Sequence, residues 1–204
     1  MTRLILLRHG EVDERFQRHF GGRIDMELSA RGHTQAVALA HQLRCERPDV
    51  VYTSPMKRVL QTLAPFSTSD APKPIVLEDL REVDFGEWTG LVWEDACARQ
   101  GVKTHQWLEA LDLGLVKDAE PIPQYRARVE RCLRQIISSH PEKTVAVYCH
   151  GGVIRALIAI GLELPLTVTG AFSVDYASLT ELEVHDGGRF VLKRLNHIPW
   201  RDVA

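Results

Sequence analysis

The chain has 204 residues, of which 45% are hydrophobic and 25% are charged, and its formal net charge is −2. These values are typical of a globular protein with a sizeable core, and we expect one domain over residues 1–204. The nearly balanced charge excludes a long-range attraction to nucleic acid or to an anionic membrane surface. Any anion that this protein binds must therefore be held by a local cluster of basic side chains.

The apolar runs and the cysteine spacing favour a cytoplasmic protein. The apolar run at residues 4–7 is shorter than the roughly 7–15 residues of a signal-peptide core. The longest later run, 152–162, is interrupted by Arg155 and is shorter than the ~20 residues of a membrane span. The four cysteines show no CxxC spacing, and we interpret them as free thiols. The sequence leaves a homodimer open.

Strand and helix patterns alternate along the chain. In chain order they predict a strand at 3–7, a helix between Ser29 and Pro48, a strand at 50–53, a helix at 56–63, a strand at 75–77, a helix at 124–139, a strand at 145–148, a helix at 152–161 and an edge hairpin of 178–184 with 189–195. This order predicts a three-layer α/β/α sandwich with a mostly parallel sheet. The charged, tryptophan-rich helical pattern at 94–113 does not fit the alternation, and we interpret residues 91–123 as a small helical insertion.

Two predicted strands end at a histidine followed by glycine. His9 follows the first strand, and His150 follows the strand at 145–148. Ligands of open parallel sheets bind beyond the carboxyl ends of the strands, so both histidines would face one crevice if these strands are adjacent. Glycine lets an anion approach the backbone closely, and the pair Gly151-Gly152 opens a helix whose free N–H groups favour negative charge. A lone histidine of this kind is usually structural, but two of them indicate a site.

Two arginines are expected at the same crevice. Arg8 precedes His9, and Arg58 lies one turn into the helix that follows the second strand. Guanidinium groups match phosphate oxygens in a bidentate manner, so this cluster predicts a phosphoryl site. A metal site is the main alternative, but HxH, HExxH and DxD spacings are missing near both histidines and Arg8 would repel a cation. We therefore expect neither a metal nor a cofactor.

Three carboxylates between residues 80 and 90 are candidates for a general acid that protonates the leaving oxygen. They are Glu82, Asp84 and Glu87. Their spacing alone does not select one of them.

The ordered set of motifs resembles the histidine phosphatase superfamily, in its cofactor-dependent phosphoglycerate mutase-like branch. The resemblance covers nearly the whole chain, through Leu7-Arg8-His9-Gly10-Glu11, Leu28-Ser29-Ala30-Arg31-Gly32, Ser54-Pro55-Met56-Lys57-Arg58, Leu80-Arg81-Glu82, Phe85-Gly86-Glu87-Trp88 and His150-Gly151-Gly152. It implies that His9 is a nucleophile that becomes phosphohistidine. It also implies that Arg8, Arg58 and His150 hold the phosphoryl oxygens, and that Glu82 is the proton donor and then the base.

The resemblance also bears on the surrounding loops. Gly21 and Gly22 align with a substrate-contacting loop, and Gly151 belongs to the phosphate-binding motif. Many family members carry an asparagine at the sixth position after the first histidine, where it contacts phosphate. This chain has Arg15 there. Arg15 either supplies an extra phosphate contact or faces solvent.

The expected substrate is a small phosphorylated metabolite. Only 68 positions separate Glu82 from His150 (150 − 82), whereas the mutases carry a longer insertion with paired arginines. The chain is more similar to the short phosphatases, including the alpha-ribazole phosphatase-like group, and alpha-ribazole phosphate or a sugar or organic phosphate is expected. A mutase-type phosphotransferase and an inactive phosphate-binding member are the alternatives.

The insertion is expected to line the leaving-group side of the site. Its candidate lining residues are Trp93, His105 and Trp107. The two tryptophans also suit the core, and that interpretation is the favoured one.

Overall fold

The centre of the fold is one six-stranded sheet, described by a computed structural model that covers residues 1–103 and 106–201. The strands are β1 (Thr2–Arg8), β2 (Val50–Thr53), β3 (Ile75–Val76), β4 (Thr144–Cys149), β5 (Leu179–Val184) and β6 (Phe190–His197). Their order in the sheet is β3-β2-β4-β1-β5-β6. The first four of these are parallel, whereas β5 is antiparallel to β1 and to β6.

Helices cover both faces of this sheet. They are α1 (Ala30–Glu46), α2 (Lys57–Leu63), α3 (Trp93–Arg99), α4 (Trp107–Asp112), α5 (Ile122–Ser139) and α6 (Gly151–Gly161). Side chains alternate along β1, so Ile5 and Leu7 pack with α1 and α2, whereas Leu4 and Leu6 face the core formed with the other four helices. The predicted three-layer, mostly parallel α/β fold is confirmed.

The start of α1 is tied to the loop that follows β1. The Ser29 hydroxyl accepts a hydrogen bond from the Gly32 N–H at 2.9 Å, as predicted for its N-cap, and donates to the Glu11 carboxylate at 2.8 Å. The cap therefore fixes the helix and also anchors the chain two residues after His9.

The sequence predicted the buried strands better than the peripheral elements. The third strand has only two paired residues, and Ile75 and Val76 are 41% and 52% exposed, so it is a short edge strand and not a buried one. The helical pattern over 94–113 is two helices, because Gly101 adopts a left-handed conformation with φ of 66° after the end of α3. His105 lies outside the described residues. Within the described part of the chain, no helix is long and apolar enough to cross a membrane.

Candidate active site

The pairing of β1 with β4 brings the two histidines together. Arg8 lies opposite Cys149 at the ends of these parallel strands, so the next residue on each strand is a histidine. The ring centroids of His9 and His150 are 5.4 Å apart, and both rings are buried. The predicted convergence of the two strand ends is confirmed.

Hydrogen bonds fix the protonation pattern of His9. Its Nδ1 lies 2.8 Å from the Gly10 carbonyl oxygen, and its Nε2 lies 3.2 Å from Nε of Arg58. A carbonyl oxygen only accepts, so Nδ1 carries the proton of the neutral ring. Nε2 therefore presents its lone pair to the guanidinium group, in the form that a nucleophile requires.

Arg58 links His9 to the loop at residues 21–24. Its Nη1 donates to the Ile24 carbonyl oxygen at 2.8 Å, and its Nη2 donates to that of Gly22 at 3.0 Å. Burial, opposed in part by the carboxylate of Glu82, lowers the pKa of Arg58 to about 10, so the group remains a cation near neutral pH. A guanidinium group has five N–H donors, and three are used here. The remaining two are available to an anion.

Arg8 and His150 each carry a buried nitrogen without a hydrogen-bond partner among the described residues. These atoms are Nε of Arg8 and Nδ1 of His150. The rest of each group is held in place, since Nη1 of Arg8 donates to the Val174 carbonyl oxygen and Nε2 of His150 lies 2.9 Å from the Ser54 hydroxyl. The Arg8 guanidinium also stacks on the Tyr176 ring, at 4.1 Å from its centroid.

Both histidines are neutral near physiological pH. Burial lowers the pKa of His9 well below its usual value, and the charges of Arg58 and Arg8 lower it further. Burial likewise lowers the pKa of His150, with further contributions from Arg58, His9 and Arg8. The site is thus positively charged through its arginines, while its imidazoles keep their lone pairs.

Of the three candidate acids, Glu82 is the one that lines the cavity with the histidine. Its Oε1 accepts from the Val83 N–H at 3.0 Å, and its Oε2 accepts from the Gly152 N–H at the start of α6 at 3.1 Å. A Cβ atom at position 152 would lie 2.4 Å from Oε1, so this approach requires glycine. Asp84 instead accepts from the Gly86 N–H, and Glu87 is exposed and bonded to the side chain of Gln100.

Arg128 holds the backbone that carries Glu82, a role that sequence reasoning missed. Its guanidinium donates to the carbonyl oxygens of Asp79, Arg81 and Glu82 at 2.7, 2.7 and 3.1 Å. It also pairs with Glu120, with Nε and Oε1 2.6 Å apart. The spacing of Arg126, Arg128, Arg131 and Arg134 predicts helix-face residues that are not paired, and the structure places Arg128 on the buried face of α5. An arginine within that apolar stripe was the available signal.

The candidate residues line part of a cavity of about 540 Å³, and we call this part its phosphoryl end. The cavity contains the predicted residues Arg8, His9, Gly21, Gly22, Arg58, Glu82 and Gly151 in its lining. His150 lies buried beside His9. Arg155 and Tyr176 also line it, and sequence reasoning did not single them out for the site.

A second part of the cavity wall is aromatic, and we call it the aromatic end. Trp93 and Trp107 both line it, together with Phe16, Phe20 and Phe85. Trp93 is 37% exposed, so the favoured interpretation as a core residue is wrong for it, because α3 presents it to the cavity. Trp107 is half-buried and packs against the core as well.

Arg15 lies outside the cavity. It belongs to a short turn at Glu14–Phe16 that Asp13 caps, and its Nε lies 3.3 Å from the Asp13 carboxylate. Its side chain is 71% exposed. Of the two expectations, solvent exposure therefore describes Arg15 in this structure, and its phosphate contact stays a prediction.

Residues 1–103 and 106–201 contain no cluster of side chains that could bind a metal ion. Nowhere in these ranges do three side chains of His, Cys, Asp or Glu come close enough to hold an ion. Cys45, Cys97, Cys132 and Cys149 are free thiols.

The chain belongs to the histidine phosphatase superfamily (branch 1), whose family model matches residues 4–198. It is 28% identical over 193 residues to phosphoserine phosphatase 1 of Hydrogenobacter thermophilus, covering 95% of this chain and 92% of that protein. It is 33% identical over 160 residues to the metal-independent phosphoserine phosphatase of Arabidopsis thaliana, covering 77% and 67%. The resemblance found in the sequence is thereby confirmed.

Solved structures with similar folds include proteins named as phosphatases. A mycobacterial glucosyl-3-phosphoglycerate phosphatase matches with a TM-score of 0.82 and 28% identity, over 96% of this chain and 98% of that chain. An Escherichia coli protein provisionally described as an alpha-ribazole-5'-P phosphatase matches with a TM-score of 0.82 over 96% of each chain. Its identity is 24%, so this likeness shows the fold alone.

The buried neutral histidines predict a pH-dependent stability. Their folded pKa values lie below the unfolded value of about 6.5, so the unfolded chain binds more protons as the pH falls below 6.5. The free energy of unfolding should therefore fall from pH 6.5 to pH 5, by up to about 1.4 kcal/mol per pH unit for each histidine. In urea unfolding experiments, the free energy of unfolding of His9→Asn should depend less steeply on pH, by the contribution of one histidine. The exposed control His33→Asn should leave the slope unchanged, and an unchanged slope in His9→Asn would contradict the assignment.

Proposed function

We propose that this protein hydrolyses phosphate monoesters of small metabolites through a phosphohistidine on His9. The observation that carries the proposal is the environment of Nε2 of His9, which holds a lone pair against Nε of Arg58 in a buried pocket. Beside it lie the unpartnered Nε of Arg8 and Nδ1 of His150, among the described residues. These groups form a preorganised receptor for a dianionic phosphoryl group.

The first step transfers the phosphoryl group to the enzyme. Nε2 of His9 attacks phosphorus, the bond from phosphorus to the leaving oxygen breaks, and Glu82 gives its proton to that oxygen, which departs as an alcohol. N–H groups of Arg8 and Arg58 stabilise the charge on the phosphoryl oxygens as it grows. His150 supports the same oxygens from behind His9.

The second step returns the enzyme to its starting state. Water attacks the phosphohistidine while Glu82 takes a proton from that water, and the N–P bond breaks to release inorganic phosphate. Glu82 is reprotonated, and His9 is again neutral. Gly151 and Gly152, at the N-terminus of α6, place backbone N–H groups beside this reaction.

The relatives support a phosphatase. Two relatives are named as phosphoserine phosphatases and a solved structure as a glucosyl-3-phosphoglycerate phosphatase, and both of these substrates are phosphate monoesters. A mutase-type phosphotransferase would need paired arginines to bind a second anionic group of its substrate. Here Arg128 is committed to Glu120 and to backbone carbonyls, which favours hydrolysis.

The covalent intermediate is the direct test. A substrate labelled on its phosphoryl group should transfer the label to the peptide that contains His9 when the reaction is quenched without acid. The label should be labile to acid and stable to alkali, because the adduct is a phosphoramidate. His9→Ala should lose both label and turnover, whereas His150→Ala should slow turnover and leave His9 as the labelled residue. Activity should persist in EDTA and be inhibited by vanadate. A label on His150, or a requirement for added divalent metal, would refute the mechanism.

The role of Glu82 predicts a dependence on the leaving group. Glu82→Gln should lower kcat/KM by about 10²–10⁴ for alkyl phosphates, whose oxygen needs a proton to depart, and far less for aryl phosphates with acidic leaving groups. The parameter kcat/KM is the informative one, because it excludes the later attack of water. Glu87→Gln, at an exposed acid bonded to Gln100, is the matched control and should behave like the wild type. Equal losses on both ester classes would remove the proton-donor role from Glu82.

We extend the proposal to organisation and location. One domain carries the chemistry, and its helical insertion at about 91–123 forms the wall of the cavity that includes Trp93 and Trp107. A cytoplasmic location is supported by the four free thiols. Recovery of the native protein outside the cytoplasmic fraction of its cells would refute that location.

A further inference from the structure

The part of the cavity beyond the phosphoryl site is large and aromatic. At about 540 Å³, the whole cavity falls within the range of about 300–1,000 Å³ that suits drug-sized ligands. The lining beyond the phosphoryl end consists mainly of Val12, Phe16, Phe20, Met26, Phe85, Trp93 and Trp107. A phosphate ester of a two- or three-carbon alcohol would leave most of this surface uncovered.

The aromatic wall is rigid. The Phe20 ring packs against Phe85 and Trp88 with centroids 4.8 and 4.9 Å apart, and Trp88 is fully buried. Trp107 closes the group at 6.0 Å from Phe20 and 5.8 Å from Phe85. Rings held in this way offer a preformed apolar surface, so a ligand can bury apolar area without the entropic cost of ordering these side chains.

The charged groups of the cavity lie at its phosphoryl end. Arg8, Arg58 and Glu82 belong to that end, and Arg155 lies one helical turn after Gly151 of α6, where a Cβ atom would be 3.3 Å from Nε of Arg8. Nη1 of Arg155 is already engaged by the carbonyl oxygens of Thr169 and Phe172. Within the described lining, the aromatic end thus offers no lysine or arginine for a substrate carboxylate. It does include His19, whose Nδ1 lies 2.7 Å from the Gln17 carbonyl oxygen, so the neutral ring presents only an acceptor at Nε2.

Each kind of charged leaving group is disfavoured there. A carboxylate would lose its hydration against aromatic rings without a cation in return, which is costly. A quaternary ammonium group would find aromatic faces, which attract cations, but it would enter a cavity that three arginines make positive. An uncharged aromatic group meets neither cost.

We infer that the preferred substrate is a phosphate monoester whose leaving alcohol carries an uncharged aromatic group, with Trp93 and Trp107 forming its binding surface. This inference rests on the proposed phosphatase function and narrows its substrate class. It separates this chain from its phosphoserine-named relatives, because the serine moiety carries both a carboxylate and an ammonium group.

Ethyl phosphate and three of its substituted forms test the inference, since the same type of bond is broken in all four. They are ethyl phosphate, 2-phenylethyl phosphate, O-phosphoserine and phosphocholine. Burial of one phenyl ring should raise kcat/KM for 2-phenylethyl phosphate about 30-fold over ethyl phosphate. The kcat/KM values for O-phosphoserine and phosphocholine should not exceed that for ethyl phosphate.

Variants locate the preference within the cavity. Trp93→Ala and Trp107→Ala should each reduce the ratio of kcat/KM between 2-phenylethyl and ethyl phosphate by about threefold, since each removes aromatic surface from the ligand. Trp93 is 37% exposed, so its replacement should leave the fold intact. Leu113→Ala is the matched control, because Leu113 follows α4, is 72% exposed and does not line the cavity. That variant should keep the wild-type ratio.

The outcomes distinguish a failure of the aromatic preference from a failure of the phosphatase function. A higher kcat/KM for O-phosphoserine or phosphocholine, or a ratio that Trp93→Ala leaves unchanged, would overturn the aromatic preference while the phosphatase function stands. Failure of all four esters to turn over above the His9→Ala background would overturn the phosphatase function and the inference with it.

Discussion

The parallel register between β1 and β4 is the constraint on which the site depends. Arg8 lies opposite Cys149, so the histidines that follow are neighbours by backbone pairing alone. Successive side chains of a strand point to opposite faces, and a slip of one residue would therefore turn every side chain of β1 over. Such a slip would place Leu4 and Leu6 on the wrong side of the sheet, so the two cores enforce the geometry of the site.

Burial of positive charge is the second constraint. Arg58 is 2% exposed, and carbonyl oxygens and the His9 ring serve as its partners where a carboxylate would normally pair with it. A buried cation satisfied by dipoles keeps its charge for an incoming anion, at the expense of folding stability. Burial and the same field lower the pKa of both histidines, so the arrangement that suits a phosphate anion also keeps His9 unprotonated.

The sequence specified those parts of the structure that depend on local pattern. Apolar strands that end in histidine and glycine predicted the sheet and the convergence of His9, His150 and Arg58, because chain direction alone places parallel strand ends together. The partners of Arg128 and the selection of Glu82 over its neighbours depend on tertiary contacts between α5 and a distant loop. Spacing within one helix contains no information about such contacts. For the same reason the position of Trp93 was misjudged.

The two ends of the cavity are built from different kinds of structure, and this separates chemistry from recognition. The phosphoryl end stands on strand ends and helix starts, where the hydrogen bonds of His9 and Arg58 run to the backbone of Gly10, Gly22 and Ile24. The aromatic end depends on the short helices α3 and α4, which pack through side chains. Because shape and polarity can change at the second end while backbone bonds hold the first, the proposed selection of the leaving group falls to a part of the molecule that the proposed chemistry does not require.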